Sequence, residues 1–143
     1  MSLVDSEKFL YWVNRYEKKT GVKFVADKRY GLFFLPDKGF CEIATLENMV
    51  VARCMCGDIK FWREKIEDLA HKLNYSMCGT WCIRRQIKAY IRLLGYKVIK
   101  EDILSDGKSR YECINNNGGK GWVSPAFTDI ENGIEGYFVT WEP

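Results

Sequence analysis

The run Arg53-Cys54-Met55-Cys56-Gly57-Asp58 carries the residues best placed for ligand chemistry. It follows Met49–Ala52, an apolar run typical of a strand buried on both faces, and a helical pattern begins directly after it. Where a strand runs into the start of a helix, backbone N–H groups point out of the turn and favour a pyrophosphate or a similar anion. Asp58 is also placed to cap the helix, because its carboxylate can accept one of those N–H groups. The run therefore predicts a ligand-binding turn without identifying the ligand.

Two acidic residues are candidates for a general base. Glu42 and Glu47 lie on or near predicted strands beside the expected cleft, where either carboxylate could remove a proton. The alternative for Glu42 is a solvent-facing strand position, because it alternates with the apolar Cys41 and Ile43. The alternation favours the second interpretation.

A nucleophilic pair of cysteine and histidine is a further alternative, since the chain has six cysteines and one histidine. His71 lies near the end of the predicted helix and is expected to face solvent beside Lys72. The cysteines also match metal-site spacing poorly, because one pair has a single intervening residue and another has three. The pattern favours free thiols that act as small buried hydrophobic groups. The cysteines are Cys41, Cys54, Cys56, Cys78, Cys82 and Cys113.

The composition limits the classes of protein to consider. The 143 residues are 47% hydrophobic and 29% charged, which predicts one globular domain over residues 1–143. A formal charge of +3 is too small to indicate nucleic-acid binding without clustering on one face. No apolar run is long enough to span a bilayer, and the N-terminus lacks a secretory pattern. A cytoplasmic location with reduced thiols is therefore expected.

The elements that position the turn begin with a predicted amphipathic helix, Asp5–Thr20. Its apolar face consists of Phe9, Leu10, Val13 and Tyr16. Three short runs follow and predict an antiparallel meander that leads into the Met49 strand. These runs are Val22–Ala26, Gly31–Leu35 and Phe40–Ala44.

The central unit continues after Asp58 with a helical stripe that ends near Asn74. Tyr75–Cys82 then predicts a second strand, and Ile83–Leu94 predicts a second helix closed by Gly95. This helix carries four cations, which favour a solvated face over a patch for phosphates or an acidic partner. They are Arg84, Arg85, Lys88 and Arg92.

Beyond Gly95 the pattern changes to strands and turns. Hairpin turns are predicted at Asp106-Gly107, Asn117-Gly118 and Asn132-Gly133, because Asn and Gly tolerate positive φ. The predicted strands are Tyr96–Ile103, Arg110–Ile114, Gly121–Phe127 and Gly136–Trp141.

Taken with Arg92-Leu93-Leu94-Gly95-Tyr96, this order of elements resembles the GNAT superfamily of N-acyltransferases, in which a helix ending in Leu-Gly-Phe or Leu-Gly-Tyr leads into the next strand. The likeness covers roughly residues 31–103, in a divergent form such as bacteriophage and prophage proteins carry. It implies an α/β (α+β) fold with a mixed, mostly antiparallel sheet flanked by helices.

The resemblance also implies a reaction. Acetyl-CoA or another acyl-CoA would lie between two splayed strands, Met49–Arg53 and Ser76–Trp81, and an amine of unknown identity would attack its thioester carbonyl. A strand N–H would polarise that carbonyl, a tyrosine would protonate the departing thiolate, and Glu42 is the candidate base. The resemblance assigns cofactor contacts to Val51, Arg53, Cys54, Cys56, Gly57, Asp58 and Ile59.

Two departures from the family pattern favour an alternative. The phosphate turn of the family reads Arg/Gln-x-x-Gly-x-Gly/Ala, and here Cys56 and Asp58 stand in place of its glycines. The tyrosine position of the family corresponds to Ile91, so the candidate acid is Tyr90, one residue earlier. The alternative is a protein that keeps the fold without catalysis, as a binding module or a phage structural protein.

Overall fold

The computed structural model describes residues 3–83, 87–129 and 134–143, with side chains at 4–83, 87–126 and 136–143. Within these ranges the chain forms three α-helices and eight β-strands, which is an α+β fold. The helices are α1 (Leu3–Thr20), α2 (Ile59–Leu73) and α3 (Ile87–Leu93). The strands are β1 (Gly31–Leu35), β2 (Gly39–Leu46), β3 (Met49–Gly57), β4 (Met77–Ile83), β5 (Tyr96–Ile103), β6 (Ser109–Asn115), β7 (Lys120–Asp129) and β8 (Ile134–Trp141).

The eight strands form one open sheet in the order β1-β2-β3-β4-β8-β7-β6-β5. β3 and β4 are paired in parallel, as their connection through α2 requires, and the other neighbours are antiparallel. The sheet is therefore mostly antiparallel, and its parallel pair lies at the centre of the predicted unit.

The two ends of α2 are fixed by its capping residues. Asp58 is the N-cap, and its carboxylate accepts the N–H of Phe61 at 3.0 Å. Asn74 is the C-cap in the left-handed conformation, with a φ of 58°. Both ends confirm the sequence prediction. Trp62, Ile66 and Ala70 form the buried stripe between them.

Two apolar clusters hold the helices to the sheet. α2 packs through Trp62 and Ile66 in a cluster that includes Val50 and Ala52 of β3. α1 packs through Tyr16 in a second cluster with Phe40 and Cys56, and Phe9 contacts it. The prediction for Leu10 was wrong, because its side chain is 58% exposed. Trp12 instead packs against the second cluster, and its indole N–H donates to the carbonyl of Pro36.

The predicted strand Val22–Ala26 does not form. This stretch is irregular, because side-chain carboxylates take backbone N–H groups that a strand would use in a ladder. The N–H of Phe24 donates to Glu17 at 2.8 Å, and the N–H of Asp27 donates to Glu42 at 2.9 Å. The segment 21–30 is thus tied to α1 and to β2 by side chains.

The predicted helix Ile83–Leu94 was wrong at its start. Ile83 is the last residue of β4, where it pairs with Gly136 of β8, and the helix that the structure describes is Ile87–Leu93. Arg84 and Arg85 of the predicted cation face lie outside the described residues.

The C-terminal half forms strands joined by turns, as predicted. β5 has the predicted bounds, and the turns at Gly107 and Gly118 both use positive φ. The predicted turn Asn132-Gly133 lies outside the described residues. Among the residues with described structure, no helix is long and apolar enough to cross a membrane.

Candidate ligand-binding cleft

The parallel strands β3 and β4 separate part of the way along their length. Their pairing runs from Met49 with Met77 to Ala52 with Thr80. β3 continues to Gly57 paired with β2, and β4 continues to Ile83 paired with β8. Beyond Ala52 and Thr80 the two strands therefore no longer bond to each other, although each remains in the sheet through its outer neighbour.

A β-bulge lies in β3 just after the strands part. Phe40 pairs with Cys56 and Glu42 with Arg53, so β3 contains one more residue than β2 between these pairs. Cys54 within this bulge has a φ of 52°, a conformation that costs a non-glycine residue about 1 kcal/mol or more. A bulge bends a strand, so it directs β3 away from its straight course.

A cavity of about 630 Å³ lies at this separation. We call the cavity and the residues that line it the cleft. One wall is the diverging part of β3 and β4, and another is formed by α1 and the irregular segment after it. The volume lies within the range of small-molecule and cofactor sites. The wall residues of β3 and β4 are Val51, Arg53, Cys54, Met55, Thr80, Trp81, Cys82 and Ile83.

Arg53 connects the sheet to the segment 21–30. Its NH1 group lies 3.1 Å from Asp27, its NH2 group donates to the carbonyl of Val25, and its Nε lies 3.1 Å from Glu42. Desolvation lowers the pKa of Arg53, but the hydrogen bond to Cys54 and the neighbouring acidic charges outweigh it and raise the pKa. The guanidinium is therefore part of the structure of the wall.

Glu42 is buried, at 1% exposure, so its predicted solvent-facing position was wrong. One oxygen accepts the N–H of Asp27, and the other lies close to the guanidinium of Arg53 without receiving a hydrogen bond from it. The Nε–H of Arg53 points instead to the Sγ of Cys54. Glu42 does not line the cavity, but it holds two residues that do.

Tyr90, the candidate acid, lines the cleft from α3. It is 7% exposed. The one-residue offset from the family position therefore still brings this tyrosine to the cavity. Glu47 is exposed in the turn between β2 and β3, with a φ of 55°, and His71 is exposed on α2, as predicted.

Only the first part of the predicted anion-binding turn lines the cleft. Val51, Arg53 and Cys54 line the cavity, whereas Cys56, Gly57, Asp58 and Ile59 are not part of its wall. Cys56 is buried in the cluster beneath α1. The N–H of Asp58 donates to the carbonyl of Lys38 at 2.9 Å, so one donor of the turn is already bonded within the protein.

Cys54 differs from the other cysteines in its surroundings. It is half-buried, and its Sγ accepts hydrogen bonds from the hydroxyl of Tyr16 at 3.4 Å and from Arg53. Burial raises the pKa of Cys78 to about 12 and that of Cys113 to about 11. All six thiols are free, and no group of metal-ligating side chains occurs among the described residues.

The sequence analysis missed the wall formed by Tyr16, Thr20 and the segment 21–30. Their assembly depends on contacts between residues far apart in the chain, such as that of Tyr16 with Cys54. One local signal existed in the sequence, where Asp27 and Arg29 are two residues apart. In the structure they form an ion pair at 2.7 Å that marks an ordered turn.

No protein-family model matches this chain, and no curated protein matches its sequence. The cleft therefore has to be interpreted from its own geometry.

Proposed function

We propose that the chain is an N-acyltransferase of the GNAT type, which takes an acyl thioester such as acetyl-CoA into the cleft and transfers the acyl group to an amine. The proposal rests on one observation, the separation of the parallel strands β3 and β4 beyond Ala52 and Thr80. Two strands that part in this way present backbone groups to an extended ligand that carries amides of its own. The cavity of about 630 Å³ at that point supports the same interpretation.

Three parts of the cleft would have separate roles in the reaction. Backbone groups of β3 near the bulge would orient the thioester, because the bulge turns this part of the strand toward the cleft. Tyr90 also lines the cleft, and its phenol could protonate a departing thiolate. The ion pair of the buried Glu42 with the partly exposed Arg53 positions the wall. Because Glu42 does not line the cavity, the amine would lose its proton to water.

A second candidate is a binding module that keeps the cleft but performs no transfer. The observation that favours it is the turn before α2, where Asp58 bonds to Lys38 and to Phe61. A turn filled by its own contacts offers less to a nucleotide than the family pattern implies. This candidate predicts ligand binding without turnover.

Ligand-dependent melting tests the proposal. Acetyl-CoA at a hundredfold excess over its Kd should stabilise the protein by about 2.7 kcal/mol and raise Tm. With a panel of amines, release of the thiol would report transfer, and Tyr90→Phe should lower kcat while binding is retained. Tyr11→Phe is the matched control, since Tyr11 is an exposed tyrosine of α1 outside the cleft.

The outcomes separate the two candidates. A rise in Tm without thiol release for any amine favours the binding module. The absence of any shift with millimolar thioester excludes the acyltransferase proposal.

A further inference from the structure

The cleft ends before the turn that would hold a nucleotide. Along β3 its wall extends from Val51 to Met55, and the next residues turn away from it. Cys56 packs beneath α1, where its thiol lies 3.6 Å from the carbonyl of Trp12. Along β3, the wall of the cavity therefore ends within the strand and does not include the start of α2.

The loop between β1 and β2 packs against the backbone of the turn before α2 and accepts a hydrogen bond from it. The N–H of Asp58 donates to the carbonyl of Lys38 at 2.9 Å, and Gly57 is so close that a Cβ there would overlap the same carbonyl oxygen. The indole N–H of Trp62 donates to this oxygen as well, at 2.8 Å. A phosphate would have to displace Lys38 to reach these donors.

The charge at the turn also disfavours phosphate. The carboxylate of Asp58 occupies the helix start, where it accepts the N–H of Phe61 and lies 3.2 Å from the Nζ of Lys38. These contacts, the bond from Phe61 first, hold the pKa of Asp58 below its ordinary value, so the group is ionised at neutral pH. An anion at this helix start would therefore have to displace a carboxylate that is already bonded to Phe61 and paired with Lys38.

Arg53, the cation next to the turn, is already paired with two carboxylates of the protein. Arg53 lies within 3.1 Å of both Glu42 and Asp27, two acidic residues that balance its charge. In the part of the cleft that borders the turn, β3 supplies Cys54 and Met55, and neither side chain is a cation. These groups suit a thioester and an amide-containing arm better than a pyrophosphate.

We infer that the acyl donor is recognised by its pantetheine thioester alone, with any nucleotide part left in solvent and contributing no affinity. The inference rests on the proposed function, because it takes the ligand of the cleft to be an acyl thioester. The shared chemistry is a pantetheine arm, which is carried either by a small molecule or by an acyl carrier protein.

Titration calorimetry with acetyl-pantetheine, acetyl-CoA and an acetyl-loaded acyl carrier protein tests the inference. We expect the Kd values of the first two ligands to agree within about threefold, because the nucleotide adds no contact. Tighter binding of the loaded carrier protein would identify a protein as the source of the arm. A Kd for the loaded carrier protein that is no lower than that of acetyl-pantetheine would show that the protein adds no contact, and would favour the small molecule as the source.

A variant at the turn gives a second readout. Asp58→Asn keeps an N-cap side chain but removes the charge. Because the nucleotide makes no contact with the turn, the Kd values of acetyl-CoA and acetyl-pantetheine should both stay within about twofold of the parent values. Asp68→Asn on the exposed side of the same helix is the control and should change neither ligand.

The two proposals fail in different ways. Acetyl-CoA that binds a hundredfold tighter than acetyl-pantetheine overturns the inference and leaves the acyltransferase proposal standing. No binding of any of the three thioesters overturns both. Tightening of acetyl-CoA alone by Asp58→Asn, by about fivefold or more, would also contradict the inference, because it would place the phosphates at the turn.

Discussion

The guanidinium of Arg53 lies 3.1 Å from the carboxylate of Glu42, a side chain that is 1% exposed in the second strand of the sheet. The same guanidinium reaches Asp27 at 3.1 Å, in the irregular segment that forms the opposite wall of the cleft. One cation thus neutralises a buried carboxylate and ties two walls of the cavity together.

Removal of Arg53 should therefore be costly. Arg53→Met leaves Glu42 buried without its ion pair, and we expect the free energy of unfolding to fall by about 2–3 kcal/mol. This loss is below the largest values for buried pairs, because Arg53 is partly exposed. Urea unfolding measures the loss. The double variant Arg53→Met with Glu42→Gln should recover part of it, and a single variant within about 0.5 kcal/mol of the parent would refute the coupling.

The contact of Gly57 with Lys38 predicts a second stability effect. Gly57 has a φ of 109°, and a Cβ would overlap the carbonyl oxygen of Lys38, so Gly57→Ala should cost more than about 2 kcal/mol. Gly118→Ala is the matched control, because its φ is 83° and a Cβ there meets nothing within 4 Å. The control should lose about 1 kcal/mol from backbone strain alone. Equal losses in thermal unfolding would show that the overlap is relieved.

The stability of the segment 21–30 should depend on pH through Asp27. The hydrogen bonds from Arg29 hold the pKa of this carboxyl well below its ordinary value of 3.8. A lowered pKa in the folded state means that the stabilisation is complete above pH 3.8 and is lost as the pH falls through the folded-state pKa.

The corresponding measurement compares Tm of the parent and of Asp27→Asn across pH. The variant should melt lower at pH 7, and the difference should shrink as the pH falls below 3.8. Asp68→Asn, an exposed position on α2, serves as the control. A difference that stays constant down to pH 2 would contradict this role for Asp27.

The thiols should differ in reactivity. Cys54 lines the cleft and is half-buried, and Tyr16 and Arg53 donate hydrogen bonds to its sulfur. Iodoacetamide should therefore alkylate it in the native protein, whereas Cys41 and Cys78 should react only after unfolding, because burial disfavours their thiolates. Peptide mapping measures both. Tyr16→Phe should slow the reaction at Cys54 by about fivefold, and Tyr11→Phe should not.

Local signals in the sequence predicted the central unit well. Asp58 and Asn74 cap α2 as expected, because capping depends on neighbouring residues alone. The predicted strands on either side of α2 also form, as β3 and β4.

The cleft walls depend on contacts that sequence patterns do not reveal. Glu42 alternates with apolar residues in the manner of an exposed strand position, yet it is buried, with the charge of Arg53 beside one oxygen and the N–H of Asp27 bonded to the other. Its partners lie on a neighbouring strand and in a segment without regular structure. The predicted strand Val22–Ala26 failed for a similar reason, since the carboxylate of Glu17 binds the N–H of Phe24 and the guanidinium of Arg53 binds the carbonyl of Val25.

The place of β8 between β4 and β7 has a consequence for biosynthesis. While the ribosome makes the chain, β3 is already available to β4, but the other side of β4 has no partner until β8 emerges as the last of the eight strands. An unpaired strand edge invites contact with other nascent chains. We therefore expect the cleft to form late, once translation has supplied β8, and a chaperone that shields β4 in the interval would raise the yield of folded protein.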